Sequence, residues 1–410
     1  MERPMTISEK ILSEHAGKPS RAGEIVLCSI DHIMMHDANG PLAVRAFEQM
    51  SGIKVFDAER VSIVFDHCSP APNEKTSNLQ LSLSEFAKKQ GVRVFDWGRG
   101  VCHQLMIESG LVKEGDLVLG TDSHTCSYGA LGAFATGVGA TDIAAALITG
   151  KSWFRVPETI KIVLTGKLQP GCSAKDIILT LIGRIGAAGG NYKAFEFYGQ
   201  YVAECATADR ITIANMVVEM GGKNCFLCTN QMKIAADPDA EYEKTIELGL
   251  EEVVPCVAKP HAVDNYAPVH EVAGQAFQYA FLGSCTNGRI EDLRAAESIL
   301  RGKAVAEGVR LLIVPASEKV LLQAMEEGIA QSLMRAGGVF FTPGCAACVG
   351  THGGVPRNGE KVLSTANRNF YGRMGNKQSE IFLSSPITLA VSCLHGRITD
   401  PREYFAEVSI

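Results

Sequence analysis

The sequence predicts an α/β protein of two or three domains built on mainly parallel sheets. Three observations carry this prediction. The chain has 410 residues, more than a single hydrophobic core usually organises. Short β-rich runs alternate with helical stretches from beginning to end, the pattern of parallel strands joined by helical crossovers. Several apolar runs lead directly into polar, glycine-containing segments, and α/β proteins gather their ligands at such strand ends.

Taken in order, Thr6 and Glu9 form a capping box before Ile11 and Leu12. Residues 24–30, 61–65 and 116–120 read as strands, as do 160–165, 277–282, 309–314 and 338–342. Helical patterns occupy 81–89, 102–109, 141–149, 289–301 and 318–327. The stretch from Gly129 to Gly139 is rich in Gly and Ala, which allows close backbone packing. It lacks the Lys-Ser/Thr ending and the glycine spacing of a nucleotide loop. Pro157 marks a boundary near 151–158, and the polar stretch 255–268 reads as a second connection. The expected units are 1–157, 158–270 and 271–410.

Composition excludes several classes. A formal charge of −6 with interspersed signs offers no nucleic-acid surface and no membrane-binding face. No apolar run reaches about 18 residues. The segment Met1-Glu2-Arg3-Pro4 lacks the apolar core of an export signal, so a cytoplasmic location is expected. The 13 cysteines are scattered and odd in number, a poor disulfide framework. Most read as buried thiols and a few as metal ligands.

Three constellations carry chemistry. Cys285 lies in Gly283-Ser284-Cys285-Thr286-Asn287-Gly288, just after the strand 277–282. Cys345 and Cys348 lie in Pro343-Gly344-Cys345-Ala346-Ala347-Cys348, just after the strand 338–342. Two thiolates spaced C-x-x-C can reach one metal centre, and a third from another loop makes three ligands, leaving a coordination position open. Cys225 and Cys228 repeat the C-x-x-C spacing without a third partner and read as structural thiols. A zinc site made of all four C-x-x-C cysteines is the rival reading; it gives Cys285 no role.

The second constellation is acid–base. Asp122 and His124 lie in Gly120-Thr121-Asp122-Ser123-His124-Thr125, Asp66-His67 follows another strand, and His103 opens a helix. A carboxylate beside an imidazole fixes its tautomer and raises its pKa, so the ring can hold and deliver a proton. Asp31-His32 resembles Asp66-His67 but falls earlier along its segment. It reads as structural, as do His15, His261, His270, His352 and His395. The third constellation is cationic: Arg368 and Arg373 flank Phe370-Tyr371-Gly372 and can aim two guanidinium groups at carboxylates.

Together these segments resemble the aconitase superfamily, in the expected order and over nearly the whole chain. The combination of Gly-Thr-Asp-Ser-His-Thr, Gly-Ser-Cys-Thr-Asn and Pro-Gly-Cys-x-x-Cys is highly specific. The resemblance implies three related α/β/α domains around a central cleft, with a [4Fe-4S] cluster on Cys285, Cys345 and Cys348. It implies three pairs: Asp66 with His67, His103 with Asp122, and His124 with Glu219. Asn215, Asn287 and Asn367 would surround the cluster. Ser123, Arg368 and Arg373 would bind substrate carboxylates, and His36, where aconitases carry Gln, would face the substrate. His36 and Ser127 point to the branch of isopropylmalate dehydratases and homoaconitases. Ala346-Ala347 departs from the usual Gly-Pro between the paired cysteines. The length implies that the mobile fourth domain is a separate small subunit, which would bring the general-base serine. The implied activity is a hydro-lyase acting on a hydroxy di- or tricarboxylic acid, with dimethylmalate dehydratase a sister activity. From another class, an iron-sensing or RNA-binding relative is the rival.

Overall fold

The structure is a computed structural model and describes residues 3–408. Residues 1–2 and 409–410, at the ends of the first and third expected units, lie outside the described residues. Three sheets follow one another along the chain. The first has five parallel strands in the order Arg93–Phe95, Val61–Val64, His32–His36, Leu117–Gly120 and Phe134–Gly137. The second has four parallel strands in the order Asn224–Leu227, Ala194–Tyr198, Thr159–Thr165 and Lys244–Gly249. The third has seven strands, with Tyr279–Gly283 between Lys361–Ser364 and Arg310–Val314, all parallel. Strands such as Val61–Val64 and Leu117–Gly120 are buried at every position, as two-sided helical cover demands.

Local chemistry sets the element ends. Thr6 and Glu9 form the reciprocal capping box of helix Ile7–Ala16, which stops at a left-handed Gly17. Asn73 caps helix Glu74–Gln90, and Ser173 with Asp176 forms a capping box on helix Ala174–Ile185.

Two expectations need correction. Residues 255–268 are not a bare connection. Cys256–Ala258 and Tyr266–Pro268 form an antiparallel hairpin on the edge of the third sheet, pairing with Glu380–Leu383. The Pro-rich, polar composition that suggested a linker marks an edge hairpin, where prolines are tolerated. Strand Ile25–Ser29 does not join a parallel sheet. It pairs antiparallel with Lys151–Arg155 in a separate ribbon, with alternate residues exposed.

The sheets share packing. One apolar cluster joins Ile160, Phe195 and Phe197 of the second sheet to Phe281, Val314 and Val362 of the third. A smaller one packs Cys285 and Ala316 against Met34, Val64, Val101 and Cys102. The carboxyl ends of the first and third sheets are thereby brought face to face. Among the described residues, no helix is long and apolar enough to cross a membrane.

Candidate active site

Many of the expected site residues sit at or beside strand ends, while His103 and Asn215 lie in helices and Glu219 in a 3-10 turn. Asp66 and His67 follow Val61–Val64, and His36 ends its own strand. Asp122 follows Leu117–Gly120 and caps the 3-10 helix Ser123–Leu131, which carries Ser123 and His124. The Gly- and Ala-rich stretch holds this turn in place. A Cβ on Gly137 would collide with the Asp122 carbonyl, so only glycine lets strand Phe134–Gly137 lie against it.

Asp122 is the centre of the acid–base groups. Its Oδ1 meets His103 Nε2 at 2.9 Å, His124 Nδ1 at 3.2 Å and the His124 backbone N–H at 2.7 Å. Its Oδ2 lies 3.2 Å from His67 Nε2 and 3.8 Å from His36 Nε2. The other pairings are His67 Nδ1 to Asp66 Oδ1, and His124 Nε2 to Glu219 Oε1, each at 2.8 Å. Sequence reasoning assigned Asp122 to one histidine; the structure brings it to four.

These contacts set the charges. Burial works against a charge on His67. The carboxylate of Asp66 and the hydrogen bonds to Asp122 and Asp66 outweigh it and hold the pKa well above the usual value. With a carboxylate at each ring nitrogen, both nitrogens donate, which is the imidazolium form. His36 is the opposite case: burial, then the charge on His67, lowers its pKa to about 4. Burial works against ionised Asp122 too, but hydrogen bonds from His103, His124 and His67 keep its carboxyl well below the usual range.

The three thiols converge from two loops of the third sheet. Asn215 donates through Nδ2 to Cys285 Sγ at 3.2 Å and to Ser127 Oγ at 2.9 Å. Asn367 donates to Cys285 Sγ at 3.4 Å, and its Oδ1 lies 3.7 Å from Cys348 Sγ. Its amide also donates to Asn215 Oδ1 at 3.1 Å. The hydrogen bond from Cys345, and then the Arg373 guanidinium, lower the Cys348 pKa to about 5 against burial, while burial lifts Cys285 to about 12. Ser284 and Ala346, each next to a cysteine, hold left-handed backbone at φ 74° and 47°. Such conformations are strained for residues with a Cβ and persist where surrounding structure fixes them. A Cβ on Gly344 would crowd the Asp66 carbonyl, and the Cys345 N–H donates to that carbonyl at 2.8 Å, tying the thiol loop to the acid–base loop.

The donor set bears on what it could hold. Three cysteine sulfurs are soft donors, suited to a soft-metal group. Among the described residues, another set of potential ligand atoms, from His36, Asp37, Asp66 and His67, lies within 4.8 Å of one another. The tight set has another explanation. The Asp37 carboxylate is taken up by the N–H groups of His67 at 2.8 Å and Cys68 at 3.0 Å and by Gln80 Nε2 at 2.8 Å.

Beside the imidazoles lies a cavity of about 370 Å³ lined by His36, His67, Asp122, Ser123, Arg368 and Arg373, among others. Arg368 forms an ion pair with Glu219 at 2.7 Å, and Arg373 Nη2 lies 4.0 Å from Cys348 Sγ. Arg368 makes that pair through its Nε, whereas the Nε of Arg373 is buried without a hydrogen-bond partner, a donor suited to an anionic ligand. Asn287 stands one step back, bonded to Asp292 and Thr212.

Several of the remaining histidines and cysteines are elsewhere. His32 bonds Ser62 and His15 bonds Asp31, apart from the cavity. Cys225 is buried within strand Asn224–Leu227, with Cys228 just beyond it. Sequence reasoning gave no role to Asp37, Thr121 or Lys175. Asp37 and Thr121 carried a signal, since each directly follows a buried strand end; Lys175 had none.

Parallel sheets meeting at such an array define the aconitase fold, and the chain belongs to the aconitase family: the family model, described as aconitate hydratase, matches residues 9–234 and 270–396. Within it, the chain is 46% identical to the 3-isopropylmalate dehydratase large subunit 2 of Archaeoglobus fulgidus, over 97% of this chain and 99% of that one. It is 45% identical to the large subunit 1 of Thermotoga maritima and 44% to that of Methanopyrus kandleri, with the same coverage. A solved structure of aconitase X from Thermococcus kodakaraensis has a TM-score of 0.52 at 14% identity, over 84% of each chain, a likeness of fold.

Proposed function

We propose that this chain is the cluster-bearing large subunit of a two-subunit hydro-lyase that interconverts 2- and 3-isopropylmalate by dehydration and rehydration, a step toward leucine. The single observation that carries it is the position of Cys285, Cys345 and Cys348 beside the Asp122–imidazole array: the Cys345 N–H is bonded to the Asp66 carbonyl, and Arg373, which lines the cavity, reaches Cys348 Sγ. The relatives named 3-isopropylmalate dehydratase large subunits, matched over almost their whole length, support the substrate and the separate small subunit.

Cys285, Cys345 and Cys348 would hold a [4Fe-4S] cluster, whose fourth iron supplies a Lewis acid for a hydroxyl and a carboxylate. Asn215, Asn287 and Asn367 orient the thiol loops. Arg368, Arg373 and Ser123 bind substrate carboxylates, and neutral His36 faces the same cavity. His67 holds a proton at Nε2, shared with Asp122 in the free protein. A departing hydroxyl takes that proton, because hydroxide is a poor leaving group. Asp66 keeps the ring charged and oriented, and His103 and His124, the latter with Glu219, hold Asp122 ionised. The base that removes the proton from the neighbouring carbon comes from the small subunit.

The test is anaerobic co-expression with a candidate small subunit, followed by assay with isopropylmalate, homocitrate-type and dimethylmalate substrates. Turnover of isopropylmalate by the pair, and little by this chain alone, is the expected result. Preference for another hydroxy acid would reassign the substrate, and inactivity on all of them would remove the proposal.

A further inference from the structure

Among the described residues, Lys175 is the one lysine that is fully buried. It lies in the first turn of helix Ala174–Ile185, in the second unit, yet its side chain ends among loops of the third. Its Nζ donates to the Thr365 carbonyl at 2.8 Å, the Ala366 carbonyl at 2.7 Å and Asn287 Oδ1 at 3.3 Å. Three oxygen acceptors match the three hydrogens of an ammonium group. A neutral amine would turn its lone pair toward one of those oxygens. The geometry therefore calls for the charged form.

Among the described residues, no carboxylate forms an ion pair with that charge. Asp176, its neighbour in sequence, spends its oxygens on the Ser173 N–H at 2.8 Å and the Cys256 N–H at 3.0 Å. Asp292 accepts from Asn287 Nδ2 at 2.9 Å and from the Arg289 N–H at 3.0 Å. Arg289 is a second buried cation beneath the same loop, donating to the Cys285 carbonyl at 2.9 Å and to Thr212 Oγ1 at 2.6 Å. Two buried cations and the buried carboxylate of Asp292 thus underlie the cysteine loops, with a second buried carboxylate, Asp176, turned to Ser173 and Cys256. Burial pulls the Lys175 pKa down to about 7; Asp292 and then the sulfurs of Cys348 and Cys285 oppose that pull. An uncompensated buried cation is costly, and an anionic partner nearby relieves the cost.

We propose that Lys175 is a positioning residue for the cluster: its ammonium clamps the Cys285 loop to the Asn367 loop and gives an anionic cluster its buried counter-charge. The inference rests on the cluster reading above. Asn287 leads directly to Cys285, and Thr365 and Ala366 lead directly to Asn367, which touches two of the three thiols. One ammonium therefore sets the spacing of both loops. Net charge and hydrogen bonding near the sulfurs set a cluster's reduction potential.

The experiment uses the full chain, reconstituted anaerobically with iron and sulfide, as wild type, Lys175→Gln, Lys175→Met and Lys175→Arg. Iron and sulfide content, iron loss to a chelator, the one-electron midpoint potential and the melting temperature of the apo protein are measured. Both neutral variants should fold, lose iron faster and titrate at a more negative potential, because a removed positive charge disfavours the added electron. Lys175→Arg should move the potential back toward wild type. Neutral variants that hold iron and titrate as the wild type does would overturn the proposal. So would failure of both to fold, which would make Lys175 a determinant of the fold instead. A wild-type chain that takes up no cluster would instead count against the functional reading.

Discussion

The imidazole of His36 lies over that of His67, with ring centroids 3.9 Å apart and planes inclined by 22°. One ring is held neutral and the other charged, by environments that differ within a few ångströms. The split gives the cavity a proton donor beside a neutral polar wall.

Activity that depends on the His67 proton should persist through neutral pH and fall as pH rises through the raised pKa of the folded protein. The sign for stability is the same: the contribution of His67 is complete below about 6.5 and is lost above that raised value. Asp66→Asn removes the charge that outweighs burial, so the alkaline limb of the kcat profile should move to lower pH. A pH–rate profile of the two-subunit enzyme checks this.

His36 behaves oppositely. Its folded pKa of about 4 lies below the unfolded value, so the unfolded chain binds the extra proton first and stability declines as pH falls from about 6.5 toward 4. His36→Gln removes this titration. Acid unfolding followed by circular dichroism should begin at lower pH in the variant than in the wild type.

Asp122→Asn takes away the shared anion of the array. His67 loses one of its two carboxylates and His103 its only one. General acid catalysis typically contributes about 10²- to 10⁴-fold, and a loss of kcat in that range is expected. The substrate KM should change less, since the arginines stay in place.

Arg373→Ala should act mainly on binding. Hydrogen bonds to charged groups contribute roughly 1.5–3 kcal/mol, so kcat/KM should fall about 10- to 100-fold. A variant that keeps wild-type kcat/KM for every hydroxy acid tested would remove Arg373 from the substrate site.

Much of this was legible because it is local. The strands end where apolar runs give way to Gly-Thr-Asp-Ser-His-Thr and Gly-Ser-Cys-Thr-Asn, and strand ends are where the parallel sheets meet. Glu219 lies four residues beyond Asn215, a spacing that reads as one helical face. The structure ends helix Thr207–Met216 there and continues as a 3-10 turn, Val217–Met220, that carries Glu219 to His124. Helix periodicity does not register that change of winding. Residues 255–268 were misread because an edge hairpin and a linker share the same prolines and polar residues. Asp37 and Lys175 were given no role because their partners are remote: Asp37 holds the backbone of residues 66–68, and Lys175 reaches across two units. Nothing in the residues flanking Lys175 announces a side chain that ends 190 positions later in the sequence.

Substitution of the cysteines separates ligands from packing. Cys285→Ser, Cys345→Ser or Cys348→Ser should abolish hydro-lyase activity and lower bound iron. Cys225→Ala and Cys228→Ala should retain both, at a stability cost on the order of 1 kcal/mol. Iron per chain and a thermal melt read the two effects apart.

The most direct measurement is an anomalous diffraction map at the iron edge from crystals prepared without oxygen. The account predicts four irons between Sγ of Cys285, Cys345 and Cys348, with one iron bearing no protein sulfur and facing His67. A single zinc ion, or iron bound through Cys225 and Cys228, would contradict it.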